Sequence, residues 1–582
     1  MRESSVRVIA SEELDAAFKS GAYDELIALC WECSVTQQNK PLVSIYLKKA
    51  LRSEEISTLS VEPLRVAGDT ARQEERWGEA KNIAAVGSIL FHGNRFFCLL
   101  LAEACFQLDQ LGLVGPALAP LGEPASDDFV LLNTHASLAH AHANYAEAVR
   151  LFERLVVIEP RNYDLQVNYA AALFGLERWV DAQGVLEGLL QTSDHPIDIL
   201  FRLIRIYKKQ SLDIDTKLRA LDEEYFSGLK TFSEAKAHSA ISLFLSDFEE
   251  LAKGFEVALQ FNNEPTIRFE LAEAQLASGD LDAGFLNYAK RFEAFSELAY
   301  CESKLPRYQG QVLEDEKLFV WGEQGIGDEI LFGFFFEELA RRVNNVVVAM
   351  APKLIPAYQR KFPSWTFLSR YDPALSQTVA DYVCPSGDLM ILFTKELVSG
   401  AVRISHPFLK PDPNRYAEIR GYLERTNKRR ICVSWRGGRG INGQIRSLDL
   451  AEFMRDAPAG DEWEFISMQF EEGMEAEIRQ HGDRRVTLSG LDNKNDIEGV
   501  FALLASCAGV VTIDNSVAHF GAVLGLPTRV VIPAGQTQFR WKNKSLKNLL
   551  FPEVHLYVQE SPGVWDGAMK KLWLDISKQF SE

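Results

Sequence analysis

The stretch that decides the fold of the second half of the chain is residues 509–533, GVVTIDNSVAHFGAVLGLPTRVVIP. Its two β-branched apolar segments, Gly509–Ile513 and Thr528–Ile532, predict buried strands. The polar residues between them can cap a helix that begins near Val517. In open α/β sheets, ligands bind where strands end and helices begin. We therefore expect a binding edge at this polar step.

Short β-branched or aromatic runs alternate with helical patterns from about residue 306 onward. This alternation is typical of parallel sheets with crossover helices. Besides the two above, the predicted strands lie at 317–321, 345–350, 381–384, 430–435, 464–469 and 486–489. A charged passage at 411–430 separates the early strands from the later ones. The pattern predicts two Rossmann-like lobes, at 306–420 and 421–582, with a closing helix at the end of the second.

The first half of the chain, up to about residue 305, has helical periodicity. A shift of 34 residues places Ala136 on Ala170 and Tyr145 on Trp179, which is the tetratricopeptide register. Residues 1–305 are therefore predicted to form an all-α tetratricopeptide-like solenoid, with degraded repeats before residue 128. Stacked repeats create a concave groove that suits a protein or peptide partner. The alternative is a scaffold that only holds the second half.

Composition and charge exclude several classes of protein. The 582 residues are 47% hydrophobic and 25% charged, which is ordinary for a globular protein of several domains. A formal net charge of -19 argues against a nucleic-acid-binding protein, which needs a basic face. The sequence lacks the apolar core of a secretory signal and any predicted transmembrane segment, so we expect a cytoplasmic protein. Eight scattered cysteines form no disulfide or zinc framework.

A glycine-rich turn opens the first predicted lobe, in the segment FVWGEQGIGDEILFGFF. Gly325 and Gly327 allow a tight strand-to-helix turn and a close approach of a ligand to backbone N–H groups. Asp328 and Glu329 would lie at the helix start, where the helix dipole stabilises carboxylates. The pattern is neither the dinucleotide fingerprint nor a P-loop. A plain capped helix would explain Asp328 without any chemistry.

A basic, glycine-rich loop opens the second predicted lobe, in the segment RRICVSWRGGRGINGQIRSL. It carries Arg436, Arg439 and Arg446, and guanidinium groups of this kind suit an anionic phosphate. The alternative is a solvated loop with incidental arginines. Gln469, at the end of the next predicted strand, is placed to hydrogen-bond a base or ribose.

The polar step between the two opening strands contains Asp514, Asn515, Ser516 and His519. Asp514 and Ser516 can cap the following helix, whose free N–H groups would point at a ligand above the sheet. His519 falls within the first turn and can face the same ligand. An ordinary cap with a buried core histidine is the alternative.

Taken in order, these motifs resemble the heptosyltransferase-like family of glycosyltransferases, in the branch fused to tetratricopeptide repeats. The resemblance covers about residues 269–557 and includes GDLDAGFLNYAKRFE, GEQGIGDEILF, ICVSWRGG, RSLDL, ISMQF, the 496–533 segment and FRWKN. It implies a GT-B fold of two facing Rossmann-like lobes. It also implies a nucleotide-sugar donor on the second lobe, an acceptor towards the first, and no essential metal or other cofactor.

The resemblance also implies roles for individual residues. Asp328 matches the acidic residue proposed as general base. The positions that match the donor-binding groups are Arg436, Arg446, Asp514, Asn515, Ser516 and His519. The common form of the family at this step is Asp-Thr-Ala, so the sequence departs from it at Asn515 and Ser516, which leaves the identity of the donor open. The sequence also departs at Glu329, where a neutral residue is more usual.

The predicted repeats suggest a protein acceptor, because a solenoid groove can present one to the transferase. Some fused members of the family resemble flagellin glycosyltransferases that transfer nonulosonic sugars, so flagellin and a CMP-linked donor are the leading candidates. This step follows from analogy of architecture. The alternatives are a transferase for a surface polysaccharide or lipid core, and a non-catalytic interaction scaffold.

Overall fold

The computed structural model describes most of the chain as two compact units. The described residues are 11–20, 26, 28–30, 61–125, 128–296, 305–373, 375, 378–438, 443, 445–470, 473–536, 538–560 and 563–579. One unit comprises Met1–Ser193 and Arg205–Ser211, and the other comprises Asp194–Ile204 and Leu212–Glu582. No helix among the described residues is long and apolar enough to cross a lipid bilayer.

The first unit is built from helices wherever it is described. They are α1 (Ser11–Ser20), α2 (Val61–Gln73), α3 (Trp77–Leu90), α4 (Arg95–Gln107), α5 (Leu111–Leu118), a 3-10 turn (Ala119–Leu121), α6 (Phe129–Ala141), α7 (Tyr145–Ile158), α8 (Tyr163–Gly175) and α9 (Trp179–Leu190). The next helix, α10 (Pro196–Lys209), contains residues of both units.

The helix pairs α6–α7 and α8–α9 repeat with the predicted spacing of 34 residues. Ala136 and Ala148 of the first pair, and Ala170 and Ala182 of the second, are almost completely buried. Small side chains at these positions allow the paired helices to approach closely, as the tetratricopeptide register requires. The prediction of an all-α repeat array in the first part of the chain is confirmed.

The second unit begins with more helices of the same kind. They are α11 (Ile214–Tyr225), α12 (Phe232–Phe244), α13 (Phe248–Phe261), α14 (Pro265–Ser278), α15 (Leu281–Tyr288) and α16 (Arg291–Ala294). Leu276, Phe285 and Tyr288 belong to the same buried apolar cluster as the core of the α/β lobes. The last helices of the array are therefore packed into the α/β body. The predicted domain boundaries at 305 and 420 stay predictions.

The first lobe is a four-stranded parallel sheet in the order β3-β2-β1-β4. Its elements are β1 (Leu313–Trp321), α17 (Ile326–Gly333), α18 (Phe336–Arg342), β2 (Val343–Met350), α19 (Ile355–Lys361), β3 (Thr366–Ser369), β4 (Tyr382–Pro385) and α20 (Ser386–Val398). The chain leaves β1 through the glycine-rich turn and enters α17 at Ile326.

The second lobe is a six-stranded parallel sheet in the order β10-β9-β8-β5-β6-β7. Its elements are α21 (Pro413–Leu423), β5 (Arg429–Ser434), α22 (Leu450–Met454), β6 (Trp463–Ser467), α23 (Met474–His481), β7 (Val486–Leu488), α24 (Ile497–Ala505), β8 (Gly509–Ile513), α25 (Ser516–Val523), β9 (Thr528–Ile532), α26 (Phe539–Lys542), α27 (Lys544–Leu550), β10 (Val554–Val558) and α28 (Asp566–Gln579). The crossover direction reverses between the adjacent strands β5 and β8. Such a reversal opens a crevice at the carboxyl ends of the strands.

The predicted fold class, a helical array followed by two Rossmann-like lobes, is confirmed. Sequence analysis missed two strands, β3 and β10. Both lie at a sheet edge and are partly exposed, so neither shows the continuous apolar run that marks a buried strand.

A buried ion pair joins the end of the helical array to the first lobe. Arg291 Nε and Nη2 donate to the two carboxylate oxygens of Glu323, each at 2.6 Å, and both side chains are fully buried. Arg291 also donates to Asp388 at 2.8 Å, and Glu323 accepts from the Gly387 N–H at 2.8 Å. Because Glu323 lies in the turn after β1, the pair helps to hold the glycine-rich segment in place.

We expect the substitution Arg291→Met to lower the free energy of unfolding by about 3–5 kcal/mol, because it leaves the Glu323 charge buried and unpaired. Chemical denaturation of the full chain measures the change. The double variant Arg291→Met/Glu323→Gln should recover part of the loss. The matched control Arg420→Met removes an exposed i,i+4 ion pair and should leave stability nearly unchanged. Equal losses for Arg291→Met and Arg420→Met would contradict this account.

Candidate active site

A cavity of about 420 Å³ lies at the carboxyl ends of both sheets, lined by residues that follow β1, β5, β6, β8 and β9. Most of the residues singled out in the sequence meet there. They are Gly325, Gly327, Asp328, Arg436, Arg446, Gln469, Asp514, Asn515, Ser516 and His519. Glu329 does not line the cavity, and Arg439 lies outside the described residues.

The starts of α17 and α25 approach each other at the cavity. A Cβ atom added to Gly327 would lie only 3.0 Å from His519 Nδ1, so the close approach depends on a glycine at this position. Residues from the first turns of both helices line the cavity. Helix N-termini carry unpaired N–H groups and a positive dipole end, and both favour an anion.

Asp328 lies between its own helix start and a cation from the other lobe. Its Oδ2 atom accepts a hydrogen bond from the Gly325 N–H at 3.1 Å and so caps α17. Its Oδ1 atom lies 2.8 Å from Arg540 Nη1. Asp328 is therefore a carboxylate of the first lobe whose charge is balanced by a residue of the second lobe.

Asp514 is held by α26, the short helix that also contains Arg540. Its Oδ1 atom accepts a hydrogen bond from Trp541 Nε1 at 2.7 Å. Its Oδ2 atom lies 3.5 Å from Arg446 Nη1. Burial lowers the pKa of Arg540, but Asp328 and Asp514 outweigh burial, so its pKa is raised and the guanidinium stays charged.

Sequence analysis missed Arg540 and Trp541 as functional residues. Both lie in the FRWKN segment, which the family resemblance included, but no strand or turn pattern there points to a ligand. Gln538, just before α26, has a left-handed backbone with φ of 31°. Gln538 and Arg540 both line the cavity.

The side chains of Gln469 and Asn515 form hydrogen bonds with the last residue of β5 and with the loop that follows it, which is called the β5 loop below. Gln469 Oε1 accepts hydrogen bonds from Ser434 Oγ at 2.7 Å and from the N–H groups of Trp435 and Arg436. Asn515 Nδ2 donates to Ser434 Oγ at 2.8 Å, and its Oδ1 accepts from the Val517 N–H at 2.9 Å. These contacts position the polar step beside the basic loop.

The two described arginines of the basic loop differ in their surroundings. Arg436 Nη2 donates to Glu477 Oε1 at 2.8 Å, and 42% of its side chain is exposed. Arg446 is less exposed, and its Nε atom is buried without a hydrogen-bond partner among the described residues. Arg446 therefore keeps a donor available for a ligand, whereas Arg436 is engaged by Glu477.

Glu329 points into the first lobe, away from the cavity. Its Oε2 atom accepts from the Ala351 N–H at 2.9 Å, and its Oε1 atom lies 2.7 Å from Arg370 Nη1. Burial raises the pKa of Glu329 to about 7, although Arg370 opposes the shift. These contacts link α17 to β2 and to the segment after β3.

His519 is buried at the back of the cavity. Its Nδ1 atom lies 3.3 Å from the Asn515 carbonyl oxygen, which can only accept, so this contact places a proton on Nδ1. Its Nε2 atom is buried without a hydrogen-bond partner among the described residues. Burial and the nearby Arg540 lower the pKa of His519 to about 4, against Asp514 and Asp328, so the ring is neutral at neutral pH.

The cavity is chemically suited to an anionic ligand. Arg446, Arg540 and the start of α25 supply positive charge and N–H donors. Among the described residues, no cluster of histidine, cysteine and carboxylate side chains has the arrangement of a metal site. Independence from metal stays a prediction.

Comparisons with known proteins give weak similarities. No protein-family model matches the chain. Protein FlbA of Caulobacter vibrioides is 24% identical over 466 residues, which is 73% of this chain and 74% of that protein. A glycosyl transferase family 9 structure from Veillonella parvula aligns with 47% of this chain and 98% of its own, at 10% identity and a TM-score of 0.34.

A mutant O-GlcNAc transferase from Thermobaculum terrenum aligns with 89% of this chain and 91% of its own, at 11% identity and a TM-score of 0.25. TM-scores below 0.5 do not establish a common fold. The cavity and its residues are therefore the basis for any functional conclusion.

The pKa of His519 predicts a pH dependence of stability. Above about pH 6.5 neither the folded nor the unfolded chain is protonated at this ring, so the full stability is present. Between pH 6.5 and about 4 the unfolded chain binds a proton that the folded chain does not, and stability falls. From pH 7 to pH 5 the expected loss at this site is about 2 kcal/mol.

Urea denaturation at pH 7 and pH 5, followed by tryptophan fluorescence, measures this loss. The variant His519→Gln removes the titrating group and should lose less stability than the natural protein over the same interval. An equal loss in both proteins would show that His519 is not responsible.

Proposed function

We propose that this protein is a GT-B glycosyltransferase that moves a sugar from a nucleotide-sugar donor to an acceptor hydroxyl. One observation carries the proposal. A single cavity is lined by the carboxylate of Asp328, from the first lobe, and by Arg446, Arg540 and the start of α25, which bring positive charge from the second lobe. Glycosyl transfer requires this combination, because a base must act close to a departing phosphate.

The second lobe would bind the phosphate of the donor. The start of α25 and the guanidinium groups of Arg446 and Arg540 stabilise the negative charge of the leaving nucleotide. As the bond between the anomeric carbon of the sugar and the phosphate oxygen breaks, its electron pair goes to that oxygen. No proton is needed on the leaving group, because these groups balance its charge.

The first lobe would activate the acceptor. The acceptor oxygen attacks the anomeric carbon and forms the new glycosidic bond, while Asp328 accepts the hydroxyl proton. The cap from Asp328 Oδ2 to the Gly325 N–H fixes the orientation of the carboxylate and leaves Oδ1 directed at Arg540 and the cavity.

We expect Asp328→Asn to lower the rate of sugar transfer about 10²–10⁴-fold, the usual contribution of a general base. Asparagine retains a side-chain oxygen for the Gly325 cap. Mass spectrometry of a co-expressed acceptor measures transfer. Asp315→Asn, at an exposed position of β1 outside the cavity, is the charge-matched control and should keep full activity. Full activity of Asp328→Asn would refute its role as base.

We further propose that the acceptor is a Ser or Thr hydroxyl of a protein bound by the helical array. Tetratricopeptide-like arrays commonly bind protein segments in their groove. Flagellin, modified with a nonulosonic sugar from a CMP-linked donor, is the leading candidate. This choice follows from the fused architecture and from the family resemblance of the motifs.

Deletion of residues 2–193, most of the first compact unit, should abolish modification of co-expressed flagellin, because the docking surface is lost. Intact-mass measurement of flagellin detects the modification. Retained nucleotide binding by the shortened protein shows that the transferase lobes are still folded. Unchanged modification would exclude the deleted part of the array as the docking surface. Transfer to a polysaccharide or lipid-linked acceptor, or no transfer at all, would favour the two alternative functions.

A further inference from the structure

Arg540 contacts Asp328 in a way that leaves both groups able to exchange partners. Their side chains are 21% and 15% exposed, and Arg540 Nη1 lies 2.8 Å from Asp328 Oδ1. Asp328 Oδ1 nevertheless has no well-directed hydrogen bond, and Arg540 Nε is buried without a partner among the described residues. The contact is thus an attraction of charges and lacks the paired N–H···O bonds of a bidentate ion pair.

Asp514 and Arg436 of the same cavity, in contrast, have hydrogen-bonded partners. Asp514 accepts a hydrogen bond from Trp541 and contacts Arg446, and Arg436 is bound to Glu477. A phosphate entering this cavity would meet the five N–H donors of the Arg540 guanidinium. The phosphate offers several charged oxygens, and a guanidinium can bind two of them through two parallel hydrogen bonds. A single carboxylate oxygen cannot accept this pair of parallel bonds.

On the premise of the glycosyl transfer proposed above, we propose that Arg540 is exchanged between Asp328 and the donor phosphate. Without donor, Arg540 holds the Asp328 carboxylate. Binding of the donor draws the guanidinium to the phosphate and frees Asp328 Oδ1 to accept the proton of the acceptor hydroxyl. The base becomes available only when the donor is in place.

This exchange makes Asp328 a competitor of the phosphate for Arg540. Removal of the Asp328 charge should therefore strengthen phosphate binding, but only in a protein that still contains Arg540. Direct repulsion between Asp328 and the phosphate would also be relieved by the substitution, yet that gain would not depend on Arg540. A double-mutant cycle separates the two effects.

Isothermal titration calorimetry of the full chain with CMP, and separately with UDP, provides the test. The proteins compared are the natural chain, Asp328→Asn, Arg540→Met and the double variant. Asp328→Asn should bind the nucleotide about fivefold or more tightly than the natural chain, at the low end of typical coupling between sites. Arg540→Met should bind it more weakly, and Asp328→Asn should give no gain in the Arg540→Met background.

Arg436→Met is the matched control, because its guanidinium lines the same cavity but is paired with Glu477. The gain from Asp328→Asn should persist in that background. Circular dichroism checks the folding of each variant. If Arg540→Met does not fold, Arg540→Lys replaces it, and the gain should then be smaller than in the natural background, since lysine lacks the forked donor set.

The outcomes distinguish failure of this inference from failure of the proposed function. Nucleotide binding with no gain in Asp328→Asn, or with an equal gain in the Arg540→Met background, overturns the exchange and leaves the proposed glycosyl transfer standing. Absence of binding to both CMP and UDP overturns the exchange together with the proposed function.

Discussion

The candidate site depends on one short helix, α26, which supplies a partner for each of two carboxylates. Asp328 of the first lobe and Asp514 of the second both lie in a cavity with little access to water, where an unpaired charge would be costly. Adjacent residues of α26 meet this need, since Arg540 contacts Asp328 and Trp541 donates to Asp514. A helix of four residues thereby joins the polar steps of both sheets into one cavity.

The end of the helical array supports this arrangement. Tyr288 accepts a hydrogen bond from Gln324 of the glycine-rich turn at 3.0 Å, and its ring lies 6.1 Å from that of Phe539 in α26. Asn543, which follows α26, donates to the Leu276 carbonyl at 2.8 Å. Together with the buried ion pair of Arg291, these contacts make α14–α16 a structural part of the α/β body. The two α/β lobes and the last repeat thus form one packed unit.

The sequence predicted the participants of the site better than their orientations. Asp328 and Glu329 looked equivalent at the start of α17, but successive residues of a helix point about 100° apart, so only one can face the cavity. Asp328 faces it, and Glu329 turns to Arg370. Gln469 likewise looked like a ligand for a base or ribose, whereas its oxygen accepts three hydrogen bonds from the β5 loop.

By itself, the sequence determined the order of helices and strands, the repeat spacing and the polar steps that end β1, β5 and β8, because hydrophobic periodicity and helix capping act over a few residues. Only the tertiary structure decided which charges meet. Arg540 is more than two hundred positions from Asp328 in the chain, and no local pattern records a contact over that separation. The packing of two sheets brings the two together, and an ion pair forms because burial leaves each charge no better partner.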